Sequence, residues 1–111
     1  MKKIYSNIEP DVLLHVIYRL DDMDGRTGIA PEEEFLQLAS IKMKKNTTFK
    51  PHRHIYKKGM EKVIAQESWV VIKGKVKVIM YDLNDIIIAD SILNPGDCSM
   101  TFRGGHNYVA L

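Results

Sequence analysis

Residues 67–78, ESWVVIKGKVKV, decide the fold class of this chain. Val76 and Val78 alternate with Lys75 and Lys77, the two-residue period that puts apolar side chains on one face of a strand and charged ones on the other. Ahead of them, Val70, Val71 and Ile72 are apolar on both faces, as in an interior strand. Lys73, Lys75 and Lys77 read as the wet face of that region.

Strand texture continues downstream. The alternation runs through Met80 into a turn at Asp82-Leu83-Asn84-Asp85, and Ile86-Ile87-Ile88 opens a strand that extends to Leu93. Asn94-Pro95-Gly96-Asp97 is a strong turn signal, with Pro pre-setting φ and Gly accepting a positive one. Segments Cys98 to Phe102 and His106 to Leu111 then flank Gly104-Gly105. Upstream, Gln37, Ala39, Ile41 and Met43 alternate with Leu36, Leu38, Ser40 and Lys42. Short strands with turn signals between them predict a sandwich or barrel.

The first twenty residues predict a helix. Pro10 suits a first helical position, and Leu13, Val16, Ile17 and Leu20 follow the i, i+3, i+4, i+7 spacing of a buried stripe. Asp22-x-Asp24-Gly25 begins like a calcium loop, but Arg26 stands where an oxygen donor belongs, so it reads as a turn. Pro31 to Glu34 suits one helical turn. The expected organisation is therefore a helix and loop over residues 1–34, packed on a β-rich body over residues 35–111.

Composition excludes several function classes. A 111-residue chain makes one domain, with little core to spare, so a metal or a second copy in a homodimer would help it. With 16 basic against 14 acidic residues, it lacks the dense positive charge that nucleic acid requires. No segment approaches the roughly 20 apolar residues of a membrane span. The basic start, Met1 to Asn7, is followed by no apolar leader core. Cys98 is the single cysteine, which excludes an intramolecular disulfide and suits a reducing, cytoplasmic setting. It reads as a small buried hydrophobe.

Four side chains carry the candidate chemistry. His52 and His54 stand two apart, so a strand puts both imidazoles on one face. Glu67 opens an apolar strand, where burying a carboxylate is costly without a partner. His106 follows the Gly104-Gly105 kink. A divalent metal ion would satisfy Glu67 and the three imidazoles together, although a surface strand can carry His-x-His by chance. Trp69 shares side-chain parity with Glu67, and Tyr108 with His106. With Tyr56 and Arg103 they are the candidate wall of a ligand pocket, and Arg103 could hold an anion. Core packing for Trp69 and Tyr108, and a solvated loop for Arg103, are the competing readings.

The stretches PHRH, ESWVVIKGKVKV and PGDCSMTFRGGH resemble the two cupin motifs. The first runs His-x-His, then Glu, six residues and Gly, as His52, His54, Glu67 and Gly74; the second runs from Gly96 to Gly104 and His106. The texture is similar to small cupin metalloproteins of the WbuC type, found with bacterial surface-polysaccharide genes. The resemblance implies a jelly-roll β-barrel over about residues 35–111, with one Fe, Mn, Ni or Zn ion on His52, His54, Glu67 and His106. It also implies a small polar ligand, with a sugar or sugar-nucleotide isomerase or epimerase as the leading activity. A non-catalytic binding module is the alternative, and a purely structural ion is a third.

This sequence departs from the pattern at several positions. Asn46 stands where the first motif has Gly, and twelve residues separate His54 from Glu67 where three or four are usual. Glu61 is a competing carboxylate without the spaced Gly. Phe102 replaces a Pro, and Ala110 an Asn. Leu111 falls inside an expected strand, so closing the barrel calls for a further strand from the same chain or a partner.

Overall fold

The computed structural model describes residues 1–34, 36–56 and 64–111 of the chain, which divides into two compact units, Met1–Met43 and Lys44–Leu111. It is mainly β, as expected: among the described residues there are ten strands and no α-helix. No sheet among them closes into a barrel. No helix of the described residues is long and apolar enough to cross a membrane.

The N-terminal helix expectation is overturned. Strand β1 (Lys2–Tyr5) pairs antiparallel with β2 (Leu13–Ile17), on the segment whose spacing suggested a helix. Pro10 sits in a turn instead, closed by Val12 N–H donating to Glu9 O at 2.9 Å. Ser6 Oγ accepts from the N–H groups of Ile8 and Glu9, both at 3.0 Å. The helix-like spacing has a physical origin. Ile4 pairs with His15 but Tyr5 pairs with Leu13, so Leu14 is an extra residue in a bulge. That extra residue lets Leu13 and Val16, three apart, both be half-buried on one strand.

A single 3₁₀ turn follows at Leu20–Asp22, then β3 (Arg26–Gly28), which pairs with β4 (Ala39–Ile41). Between them Glu34 N–H donates to Pro31 O at 3.1 Å, so Pro31 to Glu34 does form one turn. Asp22-x-Asp24-Gly25 runs from the end of the 3₁₀ turn into a bend at Gly25, with φ 60°.

The second unit holds two sheets. One has the order β5 (His52–Arg53), β10 (Gly105–Ala110), β7 (Val76–Tyr81), β8 (Ile87–Leu93). The other pairs β6 (Glu67–Val70) with β9 (Cys98–Thr101). The sheets meet over a core of Val71, Val78, Leu93 and Tyr108, edged by Phe49, Trp69, Val76 and Met80. Trp69 of β6 stacks on Tyr108 of β10 with ring centroids 4.1 Å apart, and Phe49 meets Trp69 edge-on at 5.7 Å.

Both expected turns form. Asp85 N–H donates to Asp82 O at 3.0 Å between β7 and β8. Asp97 N–H donates to Asn94 O at 2.9 Å, with Gly96 at φ 93° as the Pro-Gly signal requires. Asn46 has φ 64°. Asn tolerates that left-handed backbone better than most residues. Cys98 is exposed on the outer side of β9, so its expected burial is corrected.

Gly104 is the turn residue that aims β10. Its φ is +85°, and a Cβ there would lie 2.6 Å from the backbone oxygen of Tyr81. Gly104→Ala is therefore expected to cost about 1–3 kcal/mol from the backbone conformation alone, and more from the steric contact. The urea midpoint of the metal-free protein measures it.

Candidate metal centre

Register on neighbouring strands brings the candidate ligands together. His106 of β10 lies directly opposite His52 of β5 on one side and Met80 of β7 on the other. Glu67 opens β6, two residues before Trp69 and on the same side; His106 stands in the same relation to Tyr108. Two layers therefore adjoin where the sheets meet. Trp69, Tyr108 and Val78 form an apolar layer, and beside it lie the four candidate ligands, with His106 buried, His54 and Glu67 half-buried and His52 exposed.

The ligand atoms of His52, His54, Glu67 and His106 all lie within 4.8 Å of one another, so this group could hold a metal ion. Ring centroids of His52 and His106 are 4.6 Å apart, and His54 lies 5.7 Å from His52 and 5.6 Å from His106. Glu67 Oε2 is 2.6 Å from His106 Nε2 and 3.5 Å from His54 Nε2. Yet Glu67 Oε2 and both ring nitrogens of His106 are buried with no hydrogen-bond partner among the described residues. Buried polar atoms are nearly always paired, so such a set marks a missing partner. An oxygen and a nitrogen this close without a well-formed hydrogen bond fit neighbouring ligand positions on one cation.

Two backbone carbonyls hold the other rings. His52 Nδ1 donates to Lys50 O at 3.1 Å, and His54 Nδ1 to Ala65 O at 2.7 Å. With Nδ1 engaged as donor, each Nε2 keeps its lone pair for a ligand role. No side-chain pattern could have revealed either carbonyl, since backbone acceptors carry no sequence signal. The donor set is nitrogen and oxygen without sulfur.

His106 beside Glu67 is the main cause holding that carboxyl below its ordinary value of 4.5, with burial opposing and the Trp69 and His54 side chains adding to the effect. Burial, with the Glu67 charge nearby, pushes the Tyr108 hydroxyl up, while its bond to Ser99 Oγ at 2.9 Å works the other way. A carboxyl with a lowered folded value binds fewer protons folded than unfolded, so its stabilisation is present above pH 4.5 and drains away as pH falls through the lowered value. In chelator-treated protein, Glu67→Gln should flatten the acid side of the plot of urea midpoint against pH.

The expected pocket wall divides into two groups. Trp69 and Tyr108 pack against each other in the core, with Tyr108 only 1% exposed. Tyr56 and Arg103 are exposed and border, with Arg53 and His54, an open depression of about 310 Å³. Arg53 went unnoticed in the sequence because it stands between the two histidines that drew attention. Glu61 lies outside the described residues. Comparison with protein-family models, with curated proteins and with solved structures finds no match.

Proposed function

We propose that this chain is a cupin-type metalloprotein that holds one divalent transition-metal ion on His52, His54, Glu67 and His106 and uses it to bind a small polar ligand. The observation that carries this reading is the convergence of four ligand atoms within 4.8 Å, with Glu67 Oε2 and a ring nitrogen of His106 buried and lacking a hydrogen bond among the described residues. Three neutral imidazoles and one carboxylate leave a divalent ion with net charge +1. A bound ion of this kind supplies Lewis-acid polarisation of a carbonyl or enediol oxygen. The chain's own part is positional. Lys50 O and Ala65 O orient two of the rings, and the Trp69–Tyr108 stack closes the apolar side against water.

The ligand class follows from the motif resemblance: a sugar or sugar-nucleotide, converted by isomerisation or epimerisation in bacterial surface-polysaccharide synthesis. A cytoplasmic setting accords with the single cysteine. A homodimer is supported by β8, an edge strand of its sheet that leaves Ile87, Ile88 and Ile92 more than half exposed. Light scattering is then expected to give twice the 12.7 kDa chain mass.

Metal-loaded protein incubated with a panel of nucleotide-sugars, followed by NMR, tests the reading. Conversion that stops on chelation supports the enzyme. Binding without conversion makes the protein a non-catalytic module, and neither binding nor conversion removes the carbohydrate assignment.

A further inference from the structure

We propose that the depression beside His54 is a subsite for an oxyanion, the phosphate or carboxylate of a small ligand, held by Arg53 and Arg103 with Tyr56. Four observations lead there. The first is charge: Arg53, Arg103 and Tyr56, all exposed, border a single opening of about 310 Å³. Among the described residues no carboxylate forms an ion pair with Arg103, and Arg53 meets one only at 3.5 Å, on Asp85.

The second is preorganisation. Arg53 is anchored by pairing opposite Gly105, and its Nη1 donates to Leu83 O at 2.9 Å. One nitrogen is thus spent on fixing the side chain, and a guanidinium has five N–H donors in a rigid fork. Arg103 directly precedes Gly104, whose +85° backbone and close approach to Tyr81 fix the turn.

The third is surroundings. Ile55 and Leu83 border the same opening and are themselves largely exposed, so an anion reaches the two arginines without displacing packed side chains. The fourth is position. His54 borders the depression and also belongs to the four-residue cluster. A ligand seated by its anionic end would therefore have its remainder next to that cluster. This last step, from anion site to substrate subsite, rests on the proposed metal centre; the anion site itself does not.

Inorganic phosphate is the probe, titrated by calorimetry into chelator-treated protein, with acetate as a parallel arm. Arg103→Ala and Arg53→Ala should each weaken phosphate binding about tenfold or more. Lys73→Ala, a substitution in the loop between β6 and β7, should leave it unchanged. Tighter binding of phosphate than acetate assigns the site to phosphate-bearing ligands, and the reverse to carboxylates; either supports the proposal. Phosphate binding that is undetectable, or that falls equally in all three variants, overturns it. Zinc content is measured on each protein in parallel. Arginine-dependent phosphate binding without zinc uptake would leave the anion site standing and remove the metal centre, whereas zinc uptake without arginine dependence would do the opposite.

Discussion

His106→Ala is expected to lower zinc affinity at least about 100-fold, read by competition with a chromophoric chelator. Loss of a mere outer-shell partner typically costs 10–100-fold, so loss of a ligand sets that range as a floor. No other member of the set is so enclosed. The ring is 1% exposed, faces His52 in register, and sits 2.6 Å from Glu67 Oε2. Neither of its nitrogens makes a well-formed hydrogen bond among the described residues, and the Glu67 carboxylate is its one close charged neighbour there. Lys50→Ala is the matched control. Its contact with His52 is made by the main-chain carbonyl, which alanine retains, so affinity should hold. Unchanged affinity in His106→Ala would place the ion elsewhere.

The second large effect lies in the adjacent apolar layer. Tyr108→Ala should destabilise the metal-free protein by about 3–5 kcal/mol, the usual cost of deleting a buried aromatic ring. The ring is 1% exposed and stacks at 4.1 Å on Trp69, the main bridge between the two sheets of the second unit. A loss of that size consumes much of the stability of a small domain. Tyr108→Phe keeps the stack and gives up only the bond to Ser99 Oγ, so about 0.5–1.5 kcal/mol is expected. Urea midpoints of both variants separate packing from hydrogen bonding. A Phe variant as unstable as the Ala variant would contradict the packing account.

These two layers show what a sequence can and cannot reveal. Strands β7 and β8 and the turns at 82–85 and 94–97 were legible because two-residue periodicity and Pro, Gly, Asp and Asn at fixed offsets are local signals. Glu67 and His106 were legible because strand parity carries them to the same side as Trp69 and Tyr108. His54 lies just beyond the two-residue strand β5, so its ring reaches the cluster from irregular backbone and is held by Ala65 O. The N-terminal segment misled because a bulge at Leu14 puts Leu13 and Val16 three apart with both half-buried, like the first step of a helix stripe. Ile17 and Leu20, which complete that stripe in the sequence, are exposed. Cys98 misled because its outward position in β9 depends on pairing with Val70, a long-range choice. Similarly, the buried Asn107, which donates from Nδ2 to Thr48 Oγ1 at 3.0 Å, reflects a contact across 59 positions. Such partners are set by register between distant strands, which local composition does not encode.

The most direct measurement is X-ray absorption on untagged protein loaded with one equivalent of zinc. The account predicts one ion per chain in an all nitrogen and oxygen shell at about 2.0–2.2 Å, with outer-shell scattering from three imidazoles that falls to two in His52→Ala. A shell containing sulfur from Cys98, or fewer than two imidazoles, or failure to retain zinc after gel filtration, would contradict it.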